Sequence, residues 1–426
     1  MENFETITPN TINNMKRPII FVIILLSLAS CTGRGKKENQ NQNYMAPDTL
    51  NQYGYNLEFL KKYVQVIELK NDKAAMALIP AWQGRVMTST AEGNAGFSFG
   101  WINRELIRSG KIQSHINAFG GEERLWLGPE GGQFSIFFKK GAKFVFDDWQ
   151  TPDFLDTTPF EVINQNDSSA LFACDVETKN YSGTNLKFRL EREVTILPEK
   201  RIKDQMGINV AGLNCVAYRS VNKITNKGDN EWTKESGQLS VWMLGMFNPS
   251  PSVVVAIPFR PGDEKIMGPP VNDNYFGKIA ADRLKVSGNH VFFRADGKSR
   301  GKIGLPPLRA TGIMGSFDAA NNILTLLICR LPEGKTEYVN SAWQIQENPF
   351  SGDALNSYND GPLEDGSQMG PFYELEASSP AAALKSGENL EHIQFTLHLT
   401  GDRELLNDIS LKALGVSLDE IENAFK

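Results

Sequence analysis

The chain has 426 residues and a formal net charge of −6, with acidic and basic residues interspersed, so it lacks the concentrated basic surface that a nucleic-acid partner requires. After an N-terminal leader about 380 residues remain, enough for a large core. Beyond that leader Cys174, Cys215 and Cys329 have no CxxC spacing and each sits in an apolar run, which argues against a thiolate metal site and allows at most one disulfide.

Residues 15–31 carry Lys16 and Arg17, an apolar run from Ile19 to Leu28, and a small-residue segment ending in Cys31. That is the order of a secretory signal, and the run is too short for a stable membrane span. Leu28-Ala29-Ser30-Cys31 resembles a bacterial lipobox, which implies cleavage before Cys31 and lipid attachment there. Residues 1–14 are polar and read as an extension upstream of the signal. Residues 32–48 are rich in Asn and Gln, as a flexible tether is. The expectation is a protein anchored by lipid to a bacterial membrane, facing the periplasm, with the outer membrane as the expected host.

From residue 49 the pattern turns to β-structure. An amphipathic helix within 49–63 leads to strands at Val64–Leu69, Lys73–Ile79 and Arg85–Ser89, the last two flanking the Pro80–Gly84 turn. Phe134–Phe138 and Lys143–Phe146 are read as strands. Leu186–Leu197 puts Leu186, Phe188, Leu190, Val194 and Ile196 on one face and Lys187, Arg189, Glu191, Glu193 and Thr195 on the other, the period of a half-buried antiparallel strand. Further strands are expected at Leu239–Phe247, Val253–Phe259, His290–Arg294 and Ile323–Arg330. In His392–Leu399 the apolar set is Ile393, Phe395, Leu397 and Leu399, leaving His392, Gln394, Thr396 and His398 for a solvated or hydrogen-bonded sheet surface. Only the tail reads as helical. Arg403–Leu414 is one amphipathic helix ended by Gly415, and Ser417 with Glu420 forms a capping box for a second, Leu418–Phe425. Many short strands without a 20–50-residue repeat predict one all-β domain over 49–402, a large antiparallel sandwich, with a helical tail over 403–426.

Three stretches carry candidate chemistry. In Tyr373-Glu374-Leu375-Glu376-Ala377 the two glutamates share one face of a strand, roughly 6.5–7 Å apart, with Leu375 on the other. Buried together, such carboxylates raise one another's pKa and suit acid–base work; paired with strand arginines, they are structural. The Ser114–Phe138 stretch, with Gly120-Gly121 and Gly131-Gly132, offers Glu122, Glu123, Arg124, Trp126 and Glu130. Aromatic faces, Arg and carboxylates are what a sugar's C–H faces and hydroxyls require, although a pair of hairpin loops with a packed Trp has the same composition. The 356–370 loop brings Asn356, Asn359, Asp360, Glu364 and Asp365, whose oxygens suit Ca²⁺ but whose spacing lacks the calcium-loop pattern and equally marks a turn. No metal and no cofactor is therefore called for. Among four histidines His115, before the glycine-rich stretch, is the one expected to line a pocket. H-E-x-x-H and phosphate-loop patterns are absent, which leaves zinc proteolysis and nucleotide hydrolysis unsupported.

Taken in order, Trp82-Gln83-Gly84-Arg85, the Gly120–Gln133 segment, Ile224-Thr225-Asn226, Phe372–Glu376, Ser379-Pro380 and Lys385-Ser386-Gly387-Glu388 resemble the galactose mutarotase-like (aldose 1-epimerase-like) group, and within it the secreted bacterial lipoproteins. The resemblance covers roughly residues 50–400 and supports fold better than activity. It implies a β-supersandwich that binds a mono- or oligosaccharide. It also implies a glutamate base, best matched by Glu376 with Glu374 as the other choice, and a histidine acid. No histidine lies in the middle strands where that acid is expected, so His115 or Glu374 would have to serve. Arg124, Trp126, Glu130, Asn359, Asp360 and Arg85 are then the expected sugar contacts. A noncatalytic glycan-binding lipoprotein serving polysaccharide uptake is the alternative.

Overall fold

The structure is a computed structural model that describes residues 47–426. The signal, the Cys31 lipidation site and nearly all of the 32–48 tether lie outside the described residues. Helix α1 (Tyr53–Lys61) leads to β1 (Ile67–Asn71), β2 (Ala74–Ile79) and β3 (Arg85–Thr90). Next come α2 (Arg104–Ser109), β4 (Arg124–Gly128) and the short α3 (Asp153–Asp156). The short strand β5 (Glu161–Gln165) and the long strands β6 (Ser169–Lys179) and β7 (Asn185–Ile196) follow, then α4 (Glu199–Met206) and β8 (Leu213–Asn226). After β9 (Ser240–Phe247) and β10 (Val253–Pro258) the chain forms α5 (Glu264–Met267), β11 (Leu284–Ser287), β12 (His290–Arg294) and β13 (Gly301–Leu305). It continues through β14 (Ile313–Asp318), β15 (Ile323–Cys329), β16 (Leu355–Asn359), β17 (Tyr373–Ser378) and β18 (Asn389–Gly401). Helices α6 (Arg403–Ala413) and α7 (Leu418–Glu422) follow.

These strands form three antiparallel sheets. One is β1-β2-β3; a ten-stranded sheet runs β11-β12-β10-β14-β15-β18-β8-β7-β6-β5; a five-stranded sheet runs β13-β16-β17-β9-β4. The expected all-β sandwich is what forms. Residues of β7 named for the core face are all buried, while on its outer face Glu191 pairs with Lys223 at 2.7 Å and Lys187 with Glu177 at 2.6 Å, the cross-strand pairing that suits a solvated sheet surface. Inside, the ten-stranded sheet packs in two halves. Its β6-β7-β8 half meets β1–β3 and β4 through Leu69, Met76, Leu127, Phe172, Phe188 and Val194. Its β10-β12-β14 half meets the five-stranded sheet through Val255, Phe293, Met314, Leu355, Leu375 and Ala377.

The tail helices are part of this packing. Leu406, Ile409, Leu418 and Ile421 cover Phe317, Leu324, Leu326, Phe395, Leu397 and Leu399 on the outer face of the ten-stranded sheet. The capping box of Ser417 and Glu420 is present, and Gly415 takes a left-handed φ of 74° after α6, as the sequence predicts.

That arrangement corrects the reading of β18. Its apolar residues face the helices, and the polar set His392, Gln394, Thr396 and His398 is buried inside the sandwich rather than solvated. Gln394, Thr396 and His398 are tolerated there because partners arrive with them. Gln394 Nε2 donates to Glu123 at 2.8 Å, and His398 Nδ1 lies 2.9 Å from Thr325 Oγ1. Arg192, on the core face of β7, pairs with Glu123 at 2.8 Å with neither side chain exposed. His392 is held down to about 4 by burial.

Other expectations shift as well. Phe134–Phe138 and Lys143–Phe146 form no strands; they run as irregular chain along the sheet margin, tied by single bonds such as Gln150 N to Phe137 O at 2.9 Å. Leu355–Asn359, expected to open a loop, is a strand paired on both sides. The Arg192–Glu123 pair is predicted to be a stability determinant. Arg192→Met leaves Glu123 buried and uncompensated and should lower unfolding free energy in urea by about 3–5 kcal/mol, with part of the loss recovered by adding Glu123→Gln. An unchanged urea midpoint for the single variant would rule this out.

Candidate functional site

The five-stranded sheet has two unlike faces, set by the alternation of β17. Leu375 and Ala377 point to the ten-stranded sheet, which obliges Glu374, Glu376 and Ser378 to point the other way. In register with them on that second face lie Lys302 and Gly304 of β13, Asn356 and Tyr358 of β16, Trp242, Leu244 and Met246 of β9, and Arg124 and Trp126 of β4.

Both glutamates are buried and both have a cation. Arg124 Nη2 meets Glu374 Oε1 at 3.0 Å, and its guanidinium lies 5.1 Å from the centre of the Trp126 ring. Burial pushes the Glu374 carboxyl up, Arg124 opposes that, and Glu376 adds to it. Lys302 Nζ is 2.9 Å from Glu376 Oε2, which also accepts Trp242 Nε1–H at 2.9 Å. The ammonium sits 4.5 Å from the Trp242 ring centre and 5.7 Å from that of Tyr275, favourable cation–π placements. Among the described residues Glu376 Oε1 has no hydrogen-bond partner.

Above this face opens a groove of about 1070 Å³. Its aromatic walls are Phe146, Trp242, Tyr275, Phe276, Trp343 and Tyr358, and Glu130, Asp353, Asp360, Arg300 and Lys302 supply charge. A polar chain crosses one side. Tyr275 donates its hydroxyl proton to Asp353, Asn356 Nδ2 donates to the Tyr275 oxygen at 3.0 Å, and Asn272 Nδ2 reaches Asp353 Oδ2 at 3.3 Å. Burial raises Asp353 to about 6, despite the lowering effect of those two bonds and of Lys302. Glu130 is raised too, by burial first and by Glu376 next, with Lys302 pulling it down. The groove therefore holds carboxyls able to keep a proton in mildly acidic solution, beside an ammonium and flat apolar rings. Among the described residues no cluster of ligating side chains suits a metal ion.

The residue model of DUF6786, a family of unknown function, matches residues 51–425. The chain belongs to that family. No curated protein matches it. Among solved structures it is similar to a galactose mutarotase-like protein from Lactobacillus casei, at 10% identity and a TM-score of 0.46 over 79% of this chain and 99% of that one. It is also similar to a galactose mutarotase related enzyme from Lactobacillus acidophilus, at 9% identity and a TM-score of 0.44 over 79% and 98%. A protein from Synechocystis matches at 14% identity and a TM-score of 0.45 over 80% and 96%.

The residues singled out from this DUF6786 sequence are scattered by the fold. Glu130 and Asp360 line the groove, though Asp360 already accepts Tyr358 O–H at 2.6 Å and Gly370 N–H at 2.9 Å. Glu374, Glu376, Arg124 and Trp126 form the layer beneath, each almost fully buried. His115 sits at the margin, its Nδ1 2.7 Å from the Trp149 carbonyl and its ring against Phe146. Two residues lie elsewhere. Asn359 is on the core side of β16, where it donates to Ser299 O at 2.8 Å and accepts from Gly297 N at 2.8 Å. Arg85 is buried under β3, donating to Gly120 O at 2.9 Å, and burial with nearby Arg124 lowers it to about 9. Glu122 and Glu123 also turn inward. Gly120 and Gly121 take φ of 99° and 113°, and a side chain at either would strike Trp101 or Arg85, so only this backbone feeds those glutamates into the core.

Lys302, Trp242, Tyr275, Asp353, Trp343 and Arg300 were not legible as site residues. Lys302 sits in an unremarkable Gly-Lys-Ile-Gly run, Trp242 in a largely apolar strand, and Tyr275 in a turn-rich segment. Asp353 gives the site a measurable pH signature. Between the ordinary Asp range and about 6 the folded chain keeps a proton that the unfolded chain has released, so this group's contribution weakens stability as pH rises through that window. Asp353→Asn should therefore show a smaller fall in urea midpoint from pH 4.5 to 7 than the parent; equal slopes would contradict the burial of this carboxyl.

Proposed function

We propose that the protein binds carbohydrate in the groove above the five-stranded sheet. The observation that carries this is the combination lining one open channel: six aromatic rings beside Glu130, Asp353, Asn356, Lys302 and Arg300. A sugar ring presents C–H groups on its faces, which stack on aromatic side chains, and hydroxyls at its edge, which both donate and accept. The long leader ending in Cys31 supports placing this activity in a lipid-anchored protein facing the periplasm. On this reading, a glycan array probed with protein lacking residues 1–31 returns carbohydrate ligands. Trp343→Ala weakens binding about tenfold or more and lowers the urea midpoint less than Trp126→Ala, because Trp343 is a partly exposed wall residue. Trp126→Ala acts instead through stability, since Trp126 is buried beneath the floor. An array with no carbohydrate signal would overturn the proposal.

A second reading is favoured by one feature, the unpartnered Oε1 of Glu376 beside Lys302. In an aldose epimerase-like reaction a base removes the anomeric hydroxyl proton while an acid protonates the ring oxygen from the other side. Glu376 is the base of that reading. The acid role expected of His115 fits Glu130 or Asp353 better, since both line the groove and both hold their protons above the usual carboxylate range. Glu376→Gln is then expected to abolish anomer interconversion followed by NMR exchange, with glycan affinity changed by less than about threefold. Interconversion at the parental rate would leave binding as the whole function.

A further inference from the structure

The groove is longer than one sugar ring needs, and its two ends differ in charge. Binding elements lie over opposite edges of the five-stranded sheet. At the β4 edge stand Glu130, Phe146 and Trp343, with Trp343 ring-stacked 5.8 Å from Trp149. At the β13 edge stand Phe276, Tyr358 and Arg300. Strand order β13-β16-β17-β9-β4 separates those edges by four inter-strand spacings, or roughly 19 Å. The volume of about 1070 Å³ is at the upper end of small-molecule pockets, on the order of 300–1000 Å³.

Most charged groups between the ends are already engaged. Glu376 is bonded to Lys302 and Trp242, Asp353 to Tyr275 and Asn272, and Asp360 to Tyr358 and Gly370. At the two ends Glu130 and Arg300 are the exceptions, and Arg300 is the cationic one. It is exposed, its guanidinium carbon lies 3.9 Å from the centre of the Phe276 ring, and its Nε–H donates to the Tyr358 hydroxyl at 3.3 Å. It forms no ion pair with any carboxylate among the described residues, in contrast to Lys302 and Arg124 in the same sheet. A guanidinium held in one plane by an aromatic ring, with its fork of donors uncommitted, is suited to bidentate capture of an oxyanion.

We propose that the groove takes an acidic oligosaccharide lengthwise, an anionic substituent resting on Arg300 and the chain running over Trp242 to Trp343 and Glu130. The inference rests on the carbohydrate-binding reading. A uronic carboxylate and a sulfate ester present the same oxyanion chemistry to Arg300, and the two are separated by the probes rather than by the geometry.

The test compares the parent and Arg300→Gln by titration calorimetry and by a glycan array that carries neutral, uronic and sulfated oligosaccharides from one to six residues. The array includes uronic oligosaccharides and their methyl esters as pairs differing only in charge. Expected for the parent is affinity that rises with chain length to about four residues, as a site roughly 19 Å long requires. A preference of about tenfold or more for charged members over their neutral partners is also expected, and it should shrink with added salt. In Arg300→Gln that preference falls below about threefold, because charged oligosaccharides lose more affinity than their neutral partners. Preference confined to uronic probes assigns the substituent as carboxylate, and preference confined to sulfated probes assigns it as sulfate; either supports the inference. Binding of neutral glycans alone, or of monosaccharides as tightly as longer chains, or a charge preference unchanged in Arg300→Gln, overturns it and leaves the carbohydrate-binding reading standing. Absence of any glycan binding overturns both.

Discussion

The groove depends on the contact between Lys302 and Glu376. Leu375 and Ala377 are committed to the core by their neighbours on the ten-stranded sheet, and the two-residue period of a strand then leaves Glu376 no choice but the opposite face, where it is wholly buried. A buried carboxylate without a partner is costly enough to expel the strand or to stay protonated. Lys302, two strands away, supplies the charge, and Trp242 supplies a proton donor and an aromatic face for the ammonium. Those three side chains make a flat, rigid floor out of what would otherwise be an unfavourable strand. Arg124 and Glu374 repeat the solution one step along the sheet.

The same requirement organises the other side of the molecule. Inside the ten-stranded sheet the polar residues of β7, β8 and β18 are compensated by Glu122 and Glu123, delivered through the Gly120-Gly121 turn. Arg192, Asn222, Gln394 and Glu123 form one connected set in which most hydrogen-bonding capacity is used. Such networks hold a register in place because any slip leaves charges unpaired in the interior. The groove sheet and the buried network thus share a segment, since Glu123 and Arg124 are adjacent and face opposite cores. The consequence is that the position of β4, which carries one edge of the groove, is set from both sides.

Function follows from what this arrangement leaves uncommitted. Between its charged floor and its walls the groove presents aromatic faces, hydrogen-bonding edges and a single exposed guanidinium stacked on Phe276. Its carboxyls Asp353 and Glu130 are pushed upward by burial. Glu376 lies in the buried layer beneath the groove, its carboxylate held by Lys302 and Trp242.

The sequence by itself determined whatever depends on a residue and its near neighbours. The alternation of Leu186–Ile196 predicted β7, the Ser417–Glu420 pair predicted the start of α7, Gly415 ended α6, and the spacing of Glu374 and Glu376 put both on one face of β17 away from Leu375. What only the tertiary structure decided is which face of a two-faced strand is interior and which distant residues meet there. His392, Gln394, Thr396 and His398 alternate as a solvated face would, yet they are inside, because helices from the tail cover the apolar face instead. Lys302, Trp242, Tyr275 and Asp353 carry no local signal, because each is ordinary in its own segment and acquires its role from partners 50 to 150 residues away. Periodicity is a property of one strand, whereas pairing of buried charge is a property of the sheet order, and that order is fixed only when the strands assemble.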